Sequence, residues 1–265
     1  RNVTSEDSSS QRSNRRNIAE AIRNLRSQVK EVIAMHGWCG DSSTWELWRH
    51  HFEQNGWHWQ SGERGYGTNP PVNPTWSEVS GIKRGNSRVI IAHSLGPYLL
   101  ASEVLSKATE VILLCSFSRF LPSNPSDRAL ETALKGMRRD IGSIKETIML
   151  KAFIQKACRP LTLDNMSIGP ALAGLSTEGR IKLKIDLDLL EGTKHLPNGF
   201  PTKARVLVVE GMQDAIIAPA SREALITDLT EYLGKPPSHW KLAEAGHILL
   251  TSELIEHVHS WLESP

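Results

Sequence analysis

The chain has 265 residues, of which 31 are basic and 29 acidic, so its formal net charge is +2, and 39% of its residues are hydrophobic. These values are typical of one large α/β domain and exclude a small disulfide-stapled fold. The near-zero charge argues against a nucleic-acid-binding protein, which usually carries a strongly basic face. No apolar run reaches the roughly 18 residues of a transmembrane helix, so we expect neither nucleic acid nor a membrane as a partner.

The first segment is polar. Residues 1–16 are rich in Ser, Asn and Arg, which predicts a disordered tail and not a secretory signal. Helical spacing of apolar residues follows over 17–29. The three cysteines, Cys39, Cys115 and Cys158, are scattered and form no Cys-x-x-Cys pair, which indicates a reducing, cytoplasmic location without structural zinc.

The remaining chain alternates between short β-branched runs and helical segments. The predicted strands cover residues 31–35, 57–60, 88–92, 110–115, 205–209 and 240–243. The predicted helices between and after them cover residues 45–54, 95–105, 221–233 and 252–262. Continuous apolar runs alternating with helices predict an α/β fold, with a mostly parallel central sheet flanked by helices.

The alternation stops between residues 116 and 201. Four helices are predicted in this stretch, over 128–139, 144–157, 170–175 and 177–183. A helical block between two strands of a parallel sheet is typical of an inserted lid. We therefore predict a core formed by 17–117 and 201–265, and a lid over 118–200.

Ser94 is the candidate nucleophile. The sequence Ala92-His-Ser-Leu-Gly96 stands directly after an apolar strand and before a helix, the context of a nucleophile elbow. The sharp turn would present Ser94 at the edge of the sheet, and the small residues at both ends would let the backbones approach. The alternative is that Ser94 only caps the helix that follows it.

A serine hydroxyl needs a base, and two later loops provide the candidate partners. Asp214 follows the strand at 205–209, and His247 follows the last strand, so the order is Ser, Asp, His with one residue after each strand. Glu210 is the nearest competitor for the acid. Taken singly, Asp214 could be a helix cap and His247 a surface histidine.

The loop after the first strand, His36-Gly-Trp38, supplies one further element. An oxyanion hole needs two backbone N–H groups, and those of Trp38 and Leu95 are the candidates. The Trp38 ring either lines the acyl pocket or packs in the core. The paired histidines at 50–51 and at 257 and 259 lack the carboxylate or cysteine partners of a metal site, so we predict no metal, and the glycines form no phosphate loop.

The lid segment 119–159 is basic. It contains nine basic and four acidic residues, a net charge of +5 in a chain whose total is +2. Such a charge run is either a solvated helical face or a docking surface for an acidic partner.

These motifs resemble the α/β-hydrolase superfamily from about Glu31 to the C-terminus. The resemblance is strongest to the pimeloyl-[acyl-carrier protein] methyl ester esterases of biotin synthesis. It rests on the motifs His36-Gly-Trp38, Arg64-Gly-Tyr-Gly67, Ser94-Leu-Gly96, Ser116-Phe-Ser-Arg-Phe120 and Lys182-Leu-Lys-Ile-Asp-Leu187. It implies a monomeric serine esterase that needs no cofactor, in which the Trp38 and Leu95 amides bind the oxyanion.

The resemblance also implies roles for the lid. Ile144 and Ile148 would line the acyl channel, and Arg138 and Arg139 would hold an acidic acyl-carrier protein. A serine at the elbow disfavours dehalogenase and epoxide hydrolase chemistry, which use aspartate there. Hydrolysis of small esters, thioesters or C–C bonds on the same triad remains open, as does a non-catalytic receptor with this fold.

Overall fold

A computed structural model describes residues 29–78, 86–122, 127–162, 173–249 and 252–264. The tail predicted over 1–16 and nearly all of the helix predicted over 17–29 lie outside these residues. One six-stranded sheet has the order β2-β1-β3-β4-β5-β6, and every neighbouring pair is parallel. Its strands are β1 (Lys30–Met35), β2 (His58–Gly62), β3 (Ser87–His93), β4 (Glu110–Leu114), β5 (Arg205–Gly211) and β6 (Ser238–Leu242).

Eight α-helices connect or follow these strands in the described part of the chain. They are α1 (Glu46–Gln54), α2 (Gly96–Leu99), α3 (Ser102–Leu105), α4 (Asp127–Asp140), α5 (Glu146–Cys158), α6 (Thr177–Gly192), α7 (Pro219–Leu233) and α8 (Ser252–Glu263). A short 3₁₀ helix, Ser42–Trp45, precedes α1. None of these helices is long and apolar enough to cross a membrane.

Two predicted helices differ in the structure. The single helix predicted over 95–105 is split into α2 and α3, because Leu100 has an extended backbone with φ −87° and ψ 147°. Leu100 packs with the buried side chains on one face of the sheet, so tertiary packing overrides its helical spacing. The helix predicted over 177–183 continues to Gly192, and most of the one predicted over 170–175 lies outside the described residues.

The sheet is covered on both faces, which explains its continuous apolar strands. On one face, alternate strand residues pack against α1 and α8. There the rings of Trp48, Trp57 and Trp59 contact the fully buried Phe52, and Trp45 packs against Trp48 and Trp59. On the other face, the intervening strand residues pack against Leu105 of α3 and Leu225 of α7.

A third apolar cluster lies at the carboxyl ends of β1 and β3. It joins Trp38 and Leu95, which follow those strands, to buried side chains of α4, α5 and α6, such as Leu134, Leu150 and Leu187. The helices between β4 and β5 therefore cover the edge of the sheet at which open α/β folds place their sites.

Candidate active site

Ser94 occupies a sharp turn between β3 and α2. Its backbone is left-handed, with φ 54°, and its N–H donates to the Leu114 carbonyl at 2.9 Å. Gly96 makes the turn possible, because a Cβ atom at this position would lie 2.4 Å from the Met35 carbonyl oxygen. A non-glycine residue in this conformation is held by its surroundings, and it occurs in the local structure expected of a nucleophile elbow.

Asp214 and His247 are in direct contact. Nδ1 of the buried His247 donates to Oδ2 of Asp214 at 2.9 Å, and Oδ1 accepts the amides of Ile216 and Ile217 at 2.7 and 3.0 Å. Burial alone would raise the pKa of Asp214, but His247 and these two amides lower it below its ordinary value. The carboxylate therefore stays ionised and fixes the tautomer of His247.

Glu210, the alternative acid, has a different partner. Its carboxylate is buried beside Nε2 of His239, at 3.1 Å, and not beside His247. The structure therefore brings Asp214, and not Glu210, to the histidine.

Ser94 and His247 line one cavity of about 1110 Å³. Within the described residues no hydrogen bond joins Ser94 Oγ to His247, a contact that often tightens only when substrate binds. Most of the wall is apolar and is contributed by the lid helices and the segment before them, for example by Phe120, Leu130, Leu134, Met137, Met149 and Phe153.

The amides of Trp38 and Leu95 have no acceptor among the described residues, although both residues are buried. Buried N–H groups are normally satisfied, so two free ones next to a candidate nucleophile are suited to hold a developing oxyanion. The Trp38 ring also lines the cavity and packs edge-on against Phe153, with ring centroids 4.9 Å apart. Its Nε1 donates to the Leu183 carbonyl of α6 at 3.0 Å.

The structure separates the two isoleucines expected to line the acyl channel. Ile148, in the first turn of α5, lines the cavity, and 72% of its surface is exposed. Ile144 precedes that helix, is 98% exposed and does not line the cavity. The turn before α5 directs Ile144 outward, so the expectation for this residue is wrong.

The two arginines proposed for docking both have intramolecular partners. Arg138 forms ion pairs with Asp188 and with Glu191 of α6, the latter at 3.2 Å. Arg139 is 72% exposed at its side chain and pairs with its neighbour Asp140 at 2.9 Å. Arg138 thus joins two lid helices, whereas Arg139 is the more accessible of the two.

A part-buried ion pair, which the sequence did not predict, joins α6 to the loop after β2. Nε and Nη2 of Arg64 donate to the two carboxylate oxygens of Asp186 in α6, both at 2.7 Å, and the Tyr66 hydroxyl donates to Oδ2 at 2.6 Å. Lys182 Nζ donates to the Arg64 carbonyl at 2.8 Å. These residues lie in two motifs noted in the sequence, but 122 residues separate Arg64 from Asp186, so spacing could not pair them.

One group of three potential metal ligands occurs in the described part of the chain. The thiol of Cys115 and side-chain atoms of Asp214 and His247 lie within 4.8 Å of one another. The Asp214 and His247 side chains of this group are already hydrogen-bonded to each other, and burial raises the pKa of the Cys115 thiol well above its ordinary value. That the chain binds no metal stays a prediction.

No protein-family model matches this sequence, and no protein of curated function matches it either. Solved protein structures do match the fold of this chain. A bromoperoxidase from Bacillus anthracis has a TM-score of 0.63 at 15% identity, covering 89% of this chain and 93% of that one. An esterase from Exiguobacterium antarcticum has a TM-score of 0.61 at 13% identity, with the same coverage of 89% and 93%. An enol-lactonase from Burkholderia xenovorans has a TM-score of 0.60 at 15% identity, covering 90% and 93%.

Proposed function

We propose that this chain, which has the α/β-hydrolase fold, is a serine carboxylesterase with Ser94 as nucleophile, His247 as base and Asp214 as its orienting acid. The observation that carries the proposal is the Asp214–His247 hydrogen bond in the wall of the cavity that Ser94 lines. Structural similarity at this level of identity supports the fold alone, so the activity rests on the arrangement of these side chains.

The first step forms an acyl-enzyme. Ser94 Oγ attacks the ester carbonyl carbon while its proton moves to Nε2 of His247, and the carbonyl oxygen becomes an oxyanion. The amides of Trp38 and Leu95 stabilise that negative charge. When the tetrahedral intermediate collapses, the C–O bond to the alcohol breaks and His247 gives its proton to the leaving oxygen.

The second step releases the acid. His247 takes a proton from water, the hydroxide oxygen attacks the acyl carbon, and the proton returns to Ser94 Oγ as the ester bond breaks. Asp214 remains ionised and stabilises the imidazolium form of His247 in both steps. No other reactant is needed.

Ser94→Ala is the direct test, with Ser106→Ala as a matched control because Ser106 is exposed beyond α3. We expect kcat for a p-nitrophenyl ester to fall at least ~10³-fold in Ser94→Ala and to stay unchanged in the control. An alkyl fluorophosphonate should label the wild type at Ser94. Turnover retained by folded Ser94→Ala would refute the assignment. A wild type that binds esters without labelling or turnover would instead be a receptor.

For the substrate, we propose the methyl ester of a pimeloyl chain on an acyl-carrier protein. The sequence resemblance and the basic lid support this choice, and the apolar cavity suits an acyl chain. Two exposed lysines, Lys145 and Lys156, line the cavity and could contact an acidic carrier.

The carrier-linked ester and free dimethyl pimelate should be compared on the same enzyme. A higher kcat/KM for the carrier-linked ester that decreases with added salt would support the proposal. Equal values would restrict the function to general ester hydrolysis.

A further inference from the structure

His93, the residue before the candidate nucleophile, contacts the candidate base. Its Nε2 lies 2.9 Å from the backbone carbonyl oxygen of His247, and the two imidazole rings are 4.7 Å apart between centroids, inclined by 55°. A carbonyl oxygen can only accept a hydrogen bond, so Nε2 of His93 must carry the proton. The contact spans 154 residues of sequence.

His93 remains a neutral donor. Its partial removal from water and the neighbouring His247 lower its pKa to about 3, against the opposing effects of the hydrogen bond to His247 and of Asp214. His36 is the other titratable group that faces it, and it also acts to lower the pKa. The Nε2–H tautomer is therefore present at every pH at which the enzyme would be assayed.

The backbone around His93 leaves room for this arrangement. A Cβ atom on Gly37 would lie 3.3 Å from Nδ1 of His93 and 2.9 Å from Cβ of Ser94. Gly37 therefore lets the elbow pack closely against the loop that carries the Trp38 amide. His93 thus lies between the two loops that must be aligned with Ser94.

The loop that carries His247 is held at a second carbonyl. Sγ of Cys115 donates to the carbonyl of Gly246 at 3.5 Å. Gly246 is itself tightly packed, because a Cβ atom there would lie 1.6 Å from the Arg159 carbonyl oxygen. Of these contacts, only the His93 hydrogen bond joins the backbone of His247 to β3, the strand that ends directly before Ser94.

We propose that His93 is a positioning residue, whose hydrogen bond to the His247 carbonyl sets the distance between the base and Ser94. The proposal rests on the proposed function, because it assigns His247 as the base. Both ends of the contact adjoin reacting groups, since His93 precedes Ser94 and the acceptor belongs to His247 itself. A displacement of about 1 Å in such a site can reduce the rate about 100-fold.

Two substitutions separate the hydrogen bond from the space that the ring fills. His93→Phe keeps a ring and removes the donor, whereas His93→Gln keeps an N–H donor of similar reach. We expect kcat to fall about 10- to 100-fold in His93→Phe with KM changed less than about twofold, and to recover mostly in His93→Gln. Equal kcat values for His93→Phe and wild type would overturn the proposal, as would equal losses in the Phe and Gln variants.

Trp76→Phe is the matched control for lost stability. Nε1 of Trp76 donates to the Val104 carbonyl at 2.8 Å in the apolar cluster on one face of the sheet, so its removal also leaves a carbonyl without its donor. We expect Trp76→Phe to lower Tm about as much as His93→Phe while leaving kcat unchanged. A matching loss of kcat in Trp76→Phe would show a general effect of stability and refute the positioning role.

A readout without turnover separates this proposal from the esterase assignment. The Nδ1 proton that His247 shares with Asp214 should give a low-field proton NMR signal, assigned by its loss in His247→Gln. We expect that signal to broaden or shift in His93→Phe and to persist in His93→Gln and Trp76→Phe. If it is unchanged in His93→Phe, positioning fails whatever the activity. If it changes as expected but the wild type hydrolyses no ester, only the proposed function fails.

Discussion

The ion pair between Arg64 and Asp186 should dominate the attachment of α6 to the core. The Asp186 side chain is 1% exposed and that of Arg64 is 30% exposed, so the two partners differ in what their loss leaves behind. Arg64→Met leaves a carboxylate buried with only the Tyr66 hydroxyl as a partner. Removing one member of a buried pair in this way costs about 3–5 kcal/mol of unfolding free energy.

Substitution of the other partner, Asp186, should cost less unfolding free energy. In Asp186→Leu the guanidinium can turn toward water, and the unpaired Tyr66 hydroxyl accounts for most of a loss of about 1–3 kcal/mol. The double variant leaves that same hydroxyl but no buried charge, so it should also lose about 1–3 kcal/mol. Because Asp186→Leu and the double variant lose the same amount, the coupling energy between Arg64 and Asp186 equals the loss in Arg64→Met, about 3–5 kcal/mol.

Urea unfolding followed by circular dichroism and tryptophan fluorescence measures these free energies, provided that the two transitions coincide. In a thermal scan, Arg64→Met should lower Tm by roughly 10 °C for a chain of this size. Arg49→Met is the matched control, because the ion pairs of Arg49 with Glu46 and Glu53 are exposed and should contribute less than about 1 kcal/mol. Coupling below about 0.5 kcal/mol between Arg64 and Asp186 would refute this reasoning.

Two further predictions concern charge. Burial alone would raise the pKa of Glu63, but His36 and two backbone amides lower it from 4.5 to about 2. The ionised carboxylate therefore stabilises the fold above pH 4.5, and this stabilisation is lost as the pH falls toward 2. The Tm of Glu63→Gln should therefore lie below that of the wild type at pH 7 and approach it on acidification. A difference in Tm that stays constant with pH would contradict the lowered pKa of Glu63. In the lid, Arg139→Glu should raise KM about two- to fivefold for a carrier-linked ester only. Arg138→Glu places a second negative charge beside Asp188, so it should lower Tm and also reduce the hydrolysis of free esters. Equal effects of both substitutions on both substrates would contradict docking through Arg139.

The parallel sheet could be predicted because its four central strands, β1, β3, β4 and β5, are buried on both faces. Strands such as β1, β3 and β5 are continuous apolar runs, and such runs are typical of strands that are covered on both faces. The turn at Ser94 could also be predicted, because the features that it requires are adjacent in the sequence. They are an apolar strand, a close approach of the backbone at Gly96 and a helix directly afterwards. The split between α2 and α3 could not be predicted, because the burial of Leu100 depends on a surface formed by distant strands.

The choice between acids shows the limit of reasoning from order along the chain. Glu210 lies near the end of β5 and Asp214 follows that strand, and only the approach of the next loop decides which of them meets His247. Ile144 and Ile148 are likewise one helical turn apart in sequence. Where α5 begins, and how it lies over the cavity, decides that Ile148 lines the cavity and that Ile144 faces solvent.

By itself, the sequence determined the elements whose formation depends on near neighbours: the buried strands, the elbow, and one candidate residue after each of three strands. Tertiary structure alone decided which side chains meet across long stretches of chain. Arg64 and Asp186 are 122 residues apart, and His93 and His247 are 154 apart. No periodicity or spacing encodes such a pair, because its geometry results from the packing of whole strands and helices against one another.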